Sequence, residues 1–285
     1  MNRITIIDPR KCRKCLHCIA VCPENVFDTG DGGFPIDIRP QLCIHCGHCV
    51  AVCPADALIH RGIDMDKMPI LEEVRVTPKE FHNLLISKRS IRAFKSKPLE
   101  SRIIRHLIEM AHQAPSEHNS SEREYTVLTD PEKISFLERE IAEYYQTLML
   151  KLNPLTRKII GVVKKDIEKQ IDRISPDLLS LRSRVSAGLS PVFRNAPCII
   201  FIHAPRWNIF GRDNCIHASD YLSQYAHAAG LGSCIIGYAM ASEKIIRQHV
   251  RIPQEHRIYS CIALGYPAIK YYRAVPKGKP CIRWM

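Results

Sequence analysis

Apolar positions follow one rhythm in the first part of the chain and another in the rest. The first sixty residues hold only short apolar runs. Phe27 to Ile38 carries a Thr-Gly-Asp-Gly-Gly turn between apolar residues, the pattern of a β-hairpin. A longer pattern begins at Thr77-Pro78-Lys79-Glu80. Thr at an N-cap, Pro at the first helical position and Glu at the third form a capping box that starts a helix. Downstream, Ile103, Ile104, Leu107, Ile108 and Ala111 repeat with the 3.6 period of an amphipathic helix. Tyr125–Thr129 predicts a strand and 131–150 a helix, and residues 155–190 alternate charged and aliphatic groups at helical spacing. Then follow Cys198–His203 (strand), Asp213–Ala229 (helix), a Gly230-Leu231-Gly232 turn, Ser242–His249 (helix) and Ile258–Leu264 (strand). Strands and helices mix without a βαβ rhythm, which favours an α+β fold over a doubly wound sheet. Residues 61–76 lack a period, so the expected division is 1–64, a linker at 65–76, and 77–285.

Composition narrows the class. A chain of 285 residues with 46% hydrophobic and 25% charged residues suits globular domains with a buried core. The net charge of +12 is uneven. Residues 1–64 hold seven basic and seven acidic side chains; the remainder holds 34 basic and 22 acidic. A basic body suits an anionic cofactor or an acidic protein partner. Nucleic acid is not expected as a partner, because no aromatic-interleaved basic stripe or helix-turn-helix is present. The start, MNRITIIDPR, lacks the apolar run of a signal peptide. No segment approaches the ~18 uninterrupted apolar residues of a membrane span. The expectation is a cytoplasmic protein with no membrane partner, whose thirteen cysteines serve metal or redox chemistry.

Eight of those cysteines form an internal repeat. Cys12-x2-Cys15-x2-Cys18-x3-Cys22-Pro23 recurs 31 residues later as Cys43-x2-Cys46-x2-Cys49-x3-Cys53-Pro54. A 4Fe–4S cluster needs one thiolate per iron, and a C-x2-C-x2-C loop wraps three of them. The fourth cysteine of such a run ligates the other cluster in two-cluster ferredoxins. The stretch resembles bacterial-type two-cluster ferredoxins in every cysteine. That assigns Cys12, Cys15, Cys18 and Cys53 to one cluster and Cys43, Cys46, Cys49 and Cys22 to the other. Structural zinc sites pair two C-x2–4-C hooks and have no place for the third cysteine. His17, His45 and His48 sit beside complete quartets and are expected to surround the clusters without ligating them.

From about residue 80 the chain resembles the nitroreductase family of FMN flavoproteins. Lys88-Arg89-Ser90-Ile91-Arg92-Ala93-Phe94 is similar to the family's N-terminal motif, whose basic residues and Ser grip the FMN phosphate and ribityl chain and whose last cation reaches the pyrimidine side. Such charge-assisted bonds suit a phosphate, and positive charge near N1 stabilises reduced flavin. Ala114-Pro115-Ser116-Glu117-His118-Asn119 resembles a segment whose Asn bonds the flavin. Gly230-Leu231-Gly232-Ser233-Cys234 resembles one that passes the ring. Arg194-Asn195-Ala196-Pro197 and Leu264-Gly265-Tyr266-Pro267 also fit. Beyond the latter, Arg273, Lys277 and Lys279 are the cations from which the phosphate takes a partner, and spacing does not choose among them. Ser120-Ser121-Glu122-Arg123 departs from the Ser-Gln-Pro-Trp that many members carry here.

The resemblance implies an α+β domain with a mainly antiparallel central sheet flanked by helices, binding FMN at the interface of a homodimer. With the ferredoxin-type module it implies an oxidoreductase in which two 4Fe–4S clusters pass single electrons to FMN. FMN then reduces a small nitroaromatic, quinone or enone substrate by two electrons. An acidic ferredoxin or flavodoxin would be the donor. The alternative is an electron-transfer or redox-sensing protein whose flavin serves a protein partner. No catalytic residue is named by the sequence. Phe136, Tyr144 and Tyr145 either cover a flat substrate or pack helices. Cys198, Cys215, Cys234, Cys261 and Cys281 share no ligand spacing; packing is expected for them, with Cys234 nearest the flavin by the resemblance.

Overall fold

The structure, a computed structural model, describes residues 3–151 and 165–285. The chain forms two compact units, residues 1–75 with 117–120, and residues 76–116 with 121–285.

In the first unit, β1 (Thr5–Ile7) pairs antiparallel with β4 (Leu58–His60), and β2 (Phe27–Thr29) with β3 (Pro35–Asp37) as the expected hairpin. Helix α1 (His17–Ala20) and helix α2 (His48–Ala51) each carry the third cysteine of a C-x2-C-x2-C run, Cys18 and Cys49. The repeat extends to backbone conformation. Lys14 and His45, Leu16 and Gly47, and Asn25 and Asp56 are matched pairs, and all six residues have positive φ. These left-handed turns curl each loop tightly enough for its sulfurs to converge. A small core of Val26, Phe27, Val50 and Leu58 lies beneath them.

The second unit is built on a four-stranded antiparallel sheet in the order β5 (Glu124–Leu128), β6 (Cys198–Pro205), β8 (His256–Gly265), β7 (Gly232–Ile235). Strand β6 is buried along almost its whole length, so its residues alternate between two cores. Ile199 and Phe201 face one core with Leu137, Ile141 and Leu181. Those three come from helix α5 (Pro131–Lys151) and helix α6 (Lys165–Ser186). Cys198, Ile200 and Ile202 face the other, with Leu107 and Leu222. These belong to helix α4 (Ser101–His112) and helix α7 (Gly211–Ala228). Helices thus cover both faces of the sheet. No described helix is long and apolar enough to cross a membrane.

Most predicted elements stand within two residues of their expected ends. Helix α3 (Pro78–Ser87) begins with the predicted capping box: Thr77 Oγ1 accepts from Glu80 N at 3.2 Å, and Glu80 Oε2 accepts from Thr77 N at 2.9 Å. The turn read at Gly230–Gly232 is only half turn, since Gly232 already opens β7. Of the helical pattern read at 155–190, residues 155–164 lie outside the described residues. A short helix, α8 (Gly237–Ala241), precedes α9 (Glu243–His249).

One buried carboxylate braces this unit. Glu138 on α5 accepts from the amides of Val192 at 2.7 Å and Phe193 at 3.3 Å, and from the hydroxyl of Ser190. Burial pushes its pKa above the ordinary carboxylate range, although those hydrogen bonds and Arg194 oppose the shift.

Candidate functional site

The eight repeat cysteines line two separate cavities, and neither cavity uses one run alone. Cys12, Cys15, Cys18 and Cys53 line one. Cys22, Cys43, Cys46 and Cys49 line the other. Each distal cysteine crosses over because its run ends in a short helix that carries it away from its own loop. Backbone amides reach the crossing sulfurs: Val26 N–H donates to Cys22 Sγ and Ala57 N–H to Cys53 Sγ, both at 3.3 Å. Burial pushes the thiols of Cys18 and Cys43 up, and that of Cys49 up to about 12. Buried sulfurs of this kind become thiolates only against positive charge, which a bound metal supplies. Four converging sulfurs around a compact cavity fit a 4Fe–4S cluster in each case.

The second cavity has one lining residue that sequence reading passed over. His60, at the end of β4, is 1% exposed, and its Nε2 lies 3.3 Å from Cys43 Sγ. His45 stands edge-on to it at 5.4 Å between ring centres. Its signal in the sequence was weak, because it lies outside both cysteine runs.

In the second unit, two segments far apart in sequence meet as backbone. Ser90 and Ser233 form a parallel bridge, and Ile91 N–H donates to Ser233 O at 2.9 Å. Gly230 and Gly232 serve different purposes here. Gly230, at φ +73°, ends α7 in a Schellman motif, with its own N–H on His227 O and that of Leu231 on Ala226 O. Gly232 allows close approach, since a Cβ there would stand 2.7 Å from Ile91 Cγ1. The Leu264–Pro267 stretch joins the same assembly. Lys95 N–H donates to Tyr266 O at 2.8 Å, Ala268 N–H to Ala93 O at 2.9 Å, and Phe94 packs on Gly265.

This pairing holds a cationic cluster. Lys88 and Arg89 are half-buried at the end of α3, and both depress the pKa of His227, after burial as the larger cause. Arg89 Nη1 donates to Lys88 O, but its buried Nε has no partner among the described residues. A buried guanidinium nitrogen without an acceptor fits an anionic group such as the FMN phosphate. Arg92 is exposed, and Arg273 and Lys277 lie in the exposed segment after β8. Asn119 belongs to the first unit, where its amide donates to His45 O at 3.1 Å. Arg123, at the departure from the usual motif, is buried and donates to the carbonyls of Ala114 at 2.7 Å and of His112 at 2.5 Å.

Of the aromatics read on α5, Tyr145 is buried and donates to Tyr238 O at 2.8 Å, and Tyr144 packs beside it. Phe136 is partly exposed, edge-on to His249. Cys198, Cys215, Cys234 and Cys261 are buried, and Cys281 is exposed.

Comparison with known proteins agrees with both halves. Residues 85–266 match the nitroreductase family model, and residues 4–54 match that of the 4Fe-4S dicluster domain. Among solved structures, the chain resembles an FMN-bound nitroreductase from Bacteroides fragilis at 18% identity and a TM-score of 0.53, over 72% of this chain and 98% of that one. An iodotyrosine deiodinase bound to FMN and 3-iodo-L-tyrosine is similar at 17% identity and a TM-score of 0.52, over 71% and 97%. A BluB-like flavoprotein from Clostridium difficile is similar at 16% identity and a TM-score of 0.51, over 70% and 95%. No curated protein matches the chain.

Proposed function

The chain belongs to the nitroreductase family and carries a 4Fe–4S dicluster domain ahead of it, and on that premise we propose an FMN-dependent oxidoreductase supplied with single electrons by its own clusters. The substrate class is a small molecule reducible by two electrons, such as a nitroaromatic, quinone or enone. The observation that carries this reading is the presence, in one chain, of two complete cysteine quartets and a buried arginine nitrogen without an acceptor among the described residues. When bound, FMN supplies the exchange between one-electron and two-electron chemistry.

The residues divide the work. Cys12, Cys15, Cys18 and Cys53 hold one cluster; Cys22, Cys43, Cys46 and Cys49 hold the other. Lys88, Arg89 and Ser90 bind the phosphate and ribityl chain, and Arg92 favours negative charge on the pyrimidine side. Gly230, Gly232 and Ser233 belong to the segment that passes the ring, with Gly230 turning the chain out of α7 and Gly232 letting it lie against Ile91. Arg273 or Lys277 completes the phosphate contacts; Asn119, assigned to the flavin by the resemblance alone, has its amide on His45 O within the first unit. The working division remains 1–64 for the cluster domain, 65–76 for the linker and 77–285 for the flavin domain.

Two features support partners. Trp207, Ile209, Phe210 and Tyr221, at and before α7, leave apolar surface exposed that suits a homodimer contact. The positive charge outside the cluster domain suits an acidic ferredoxin or flavodoxin donor, whose rate would fall with salt. Thirteen cysteines without a disulfide suit the reducing cytoplasm.

The test is anaerobic purification with iron, sulfide and flavin analysis, followed by reductive titration with visible and EPR detection. About eight irons and one FMN per chain, with the flavin reduced through the clusters, is the expected result. Eight irons without flavin would overturn the flavin half of the reading.

A further inference from the structure

The two halves of the cluster domain match closely enough that a departure from the match stands out. Val26 and Ala57 are repeat equivalents, as are Cys22 and Cys53, and the two amide-to-sulfur bonds they form have the same length of 3.3 Å. Strands β2 and β4 occupy equivalent positions, so the twin of His60 is Thr29, and the twin of Cys43 is Cys12. Here the halves part. Thr29 is exposed, and among the described residues it gives no hydrogen bond to a cysteine sulfur. His60 is buried, with Nε2 at 3.3 Å from Cys43 Sγ.

The tautomer is fixed by a neighbour. Gly62 N–H donates to His60 Nδ1 at 3.1 Å. A backbone N–H can only donate, so Nδ1 accepts and the ring proton sits on Nε2, aimed at the sulfur. The rest of the site holds this arrangement. Thr5 pairs with His60 across β1 and β4, and a Cβ on Gly62 would stand 2.4 Å from His45 Nδ1 and 3.2 Å from His60 Cε1. Only a glycine lets residue 62 approach both rings.

We propose that His60 acts through Cys43 to raise the reduction potential of the cluster held by Cys22, Cys43, Cys46 and Cys49, leaving the other cluster without such a donor. The inference rests on the two-cluster reading above. One-electron reduction adds one negative charge, spread partly onto the ligating sulfurs, with no bond made or broken and no proton taken up. A hydrogen bond to sulfur strengthens as the sulfur gains charge, so it favours the reduced form over the oxidised form. The amide bonds from Val26 and Ala57 are matched between the halves and do not distinguish the clusters. The His60 bond has no twin among the described residues.

The experiment is an EPR-monitored redox titration of the full chain, wild type against His60→Thr and His60→Phe, with iron and sulfide measured on each sample. Threonine is the residue the twin strand carries, and phenylalanine fills the imidazole volume without an N–H. One of the two one-electron couples is expected to shift about tenfold toward the oxidised form, which is about 59 mV for a one-electron couple, while the other stays in place. Unchanged couples, or an equal shift of both, would overturn the proposal. Should neither variant keep both clusters, pulsed EPR with 15N-histidine decides. The label is placed on the ring nitrogens, in a chain carrying His17→Gln, His45→Gln and His48→Gln so that His60 is the histidine left beside the cysteines: a weak 15N coupling to one reduced cluster supports the bond, and its absence from both refutes it. Wild-type protein without iron would instead refute the two-cluster reading itself.

Discussion

Ile91 donates its amide to the carbonyl of Ser233 at 2.9 Å while its side chain fills the space that a side chain on residue 232 would need. One residue therefore fixes both the register and the spacing of the two segments assigned to the flavin. The Cβ of Ile91 is branched and stiff, so it cannot swing aside. Gly232→Ala should cost about 1–3 kcal/mol through overpacking. Pairing it with Ile91→Ala should restore a large part of that loss. Thermal unfolding of the four members of this cycle gives the coupling directly.

Arg89 carries a buried Nε with no acceptor among the described residues. If it meets the FMN phosphate, Arg89→Gln removes a charge-assisted bond of about 1.5–3 kcal/mol and should weaken FMN binding about 10- to 100-fold. Flavin fluorescence titration of the deflavinated protein measures this. An unchanged affinity would take Arg89 out of the site.

Cys18 and Cys22 lie in one run yet line different cavities, whereas Cys22 and Cys49 line the same one. The Cys22→Ala, Cys49→Ala double variant should keep one cluster, about four irons per chain. The Cys18→Ala, Cys22→Ala variant, with a ligand lost from each cage, should fall well below that. Iron and sulfide analysis separates the two outcomes.

His203 on β6 lies 2.9 Å, Nδ1 to Nδ1, from His256 on β8, and its Nε2 meets Thr126 Oγ1 at 2.9 Å. Burial, then the nearby His256 and Arg247, lowers its pKa from the ordinary 6.5 to about 4. The unfolded chain therefore binds a proton between those values that the folded chain refuses. Stability should fall as pH drops from 6.5 toward 4, by about 1.4 kcal/mol per pH unit at most. Denaturant unfolding across this range should show the slope, and His203→Gln should flatten it.

Glu138 has the opposite sign. Burial raises its pKa, so the folded state holds a proton that the unfolded state has released. Its contribution is complete below the ordinary carboxylate range and declines as pH rises through the raised value. Glu138→Gln should remove this dependence while keeping an acceptor for the Val192 amide. Glu138→Ala, which leaves that buried amide unpaired, should cost about 1–3 kcal/mol at any pH. Melting temperatures across pH 4 to 8 test both.

The sequence by itself determined whatever depends on short-range spacing. The cysteine repeat, the hairpin between its halves, the Thr77–Glu80 capping box and the stripe from Ile103 to Ala111 are written in neighbouring residues, and all appear as read. Local propensity and periodicity act over a few residues, so a chain reader sees them. Tertiary structure decided what depends on residues far apart in sequence. Strand β7 was hidden within a glycine turn because its partner, β8, begins more than twenty residues later. Tyr145 carried no sign of whether it would face a substrate; its hydroxyl is committed to the Tyr238 carbonyl. His60 stands outside both cysteine runs, and only folding brings it to Cys43. Hydrogen bonds and packing between distant segments follow from burial of the whole chain, and no local pattern encodes them.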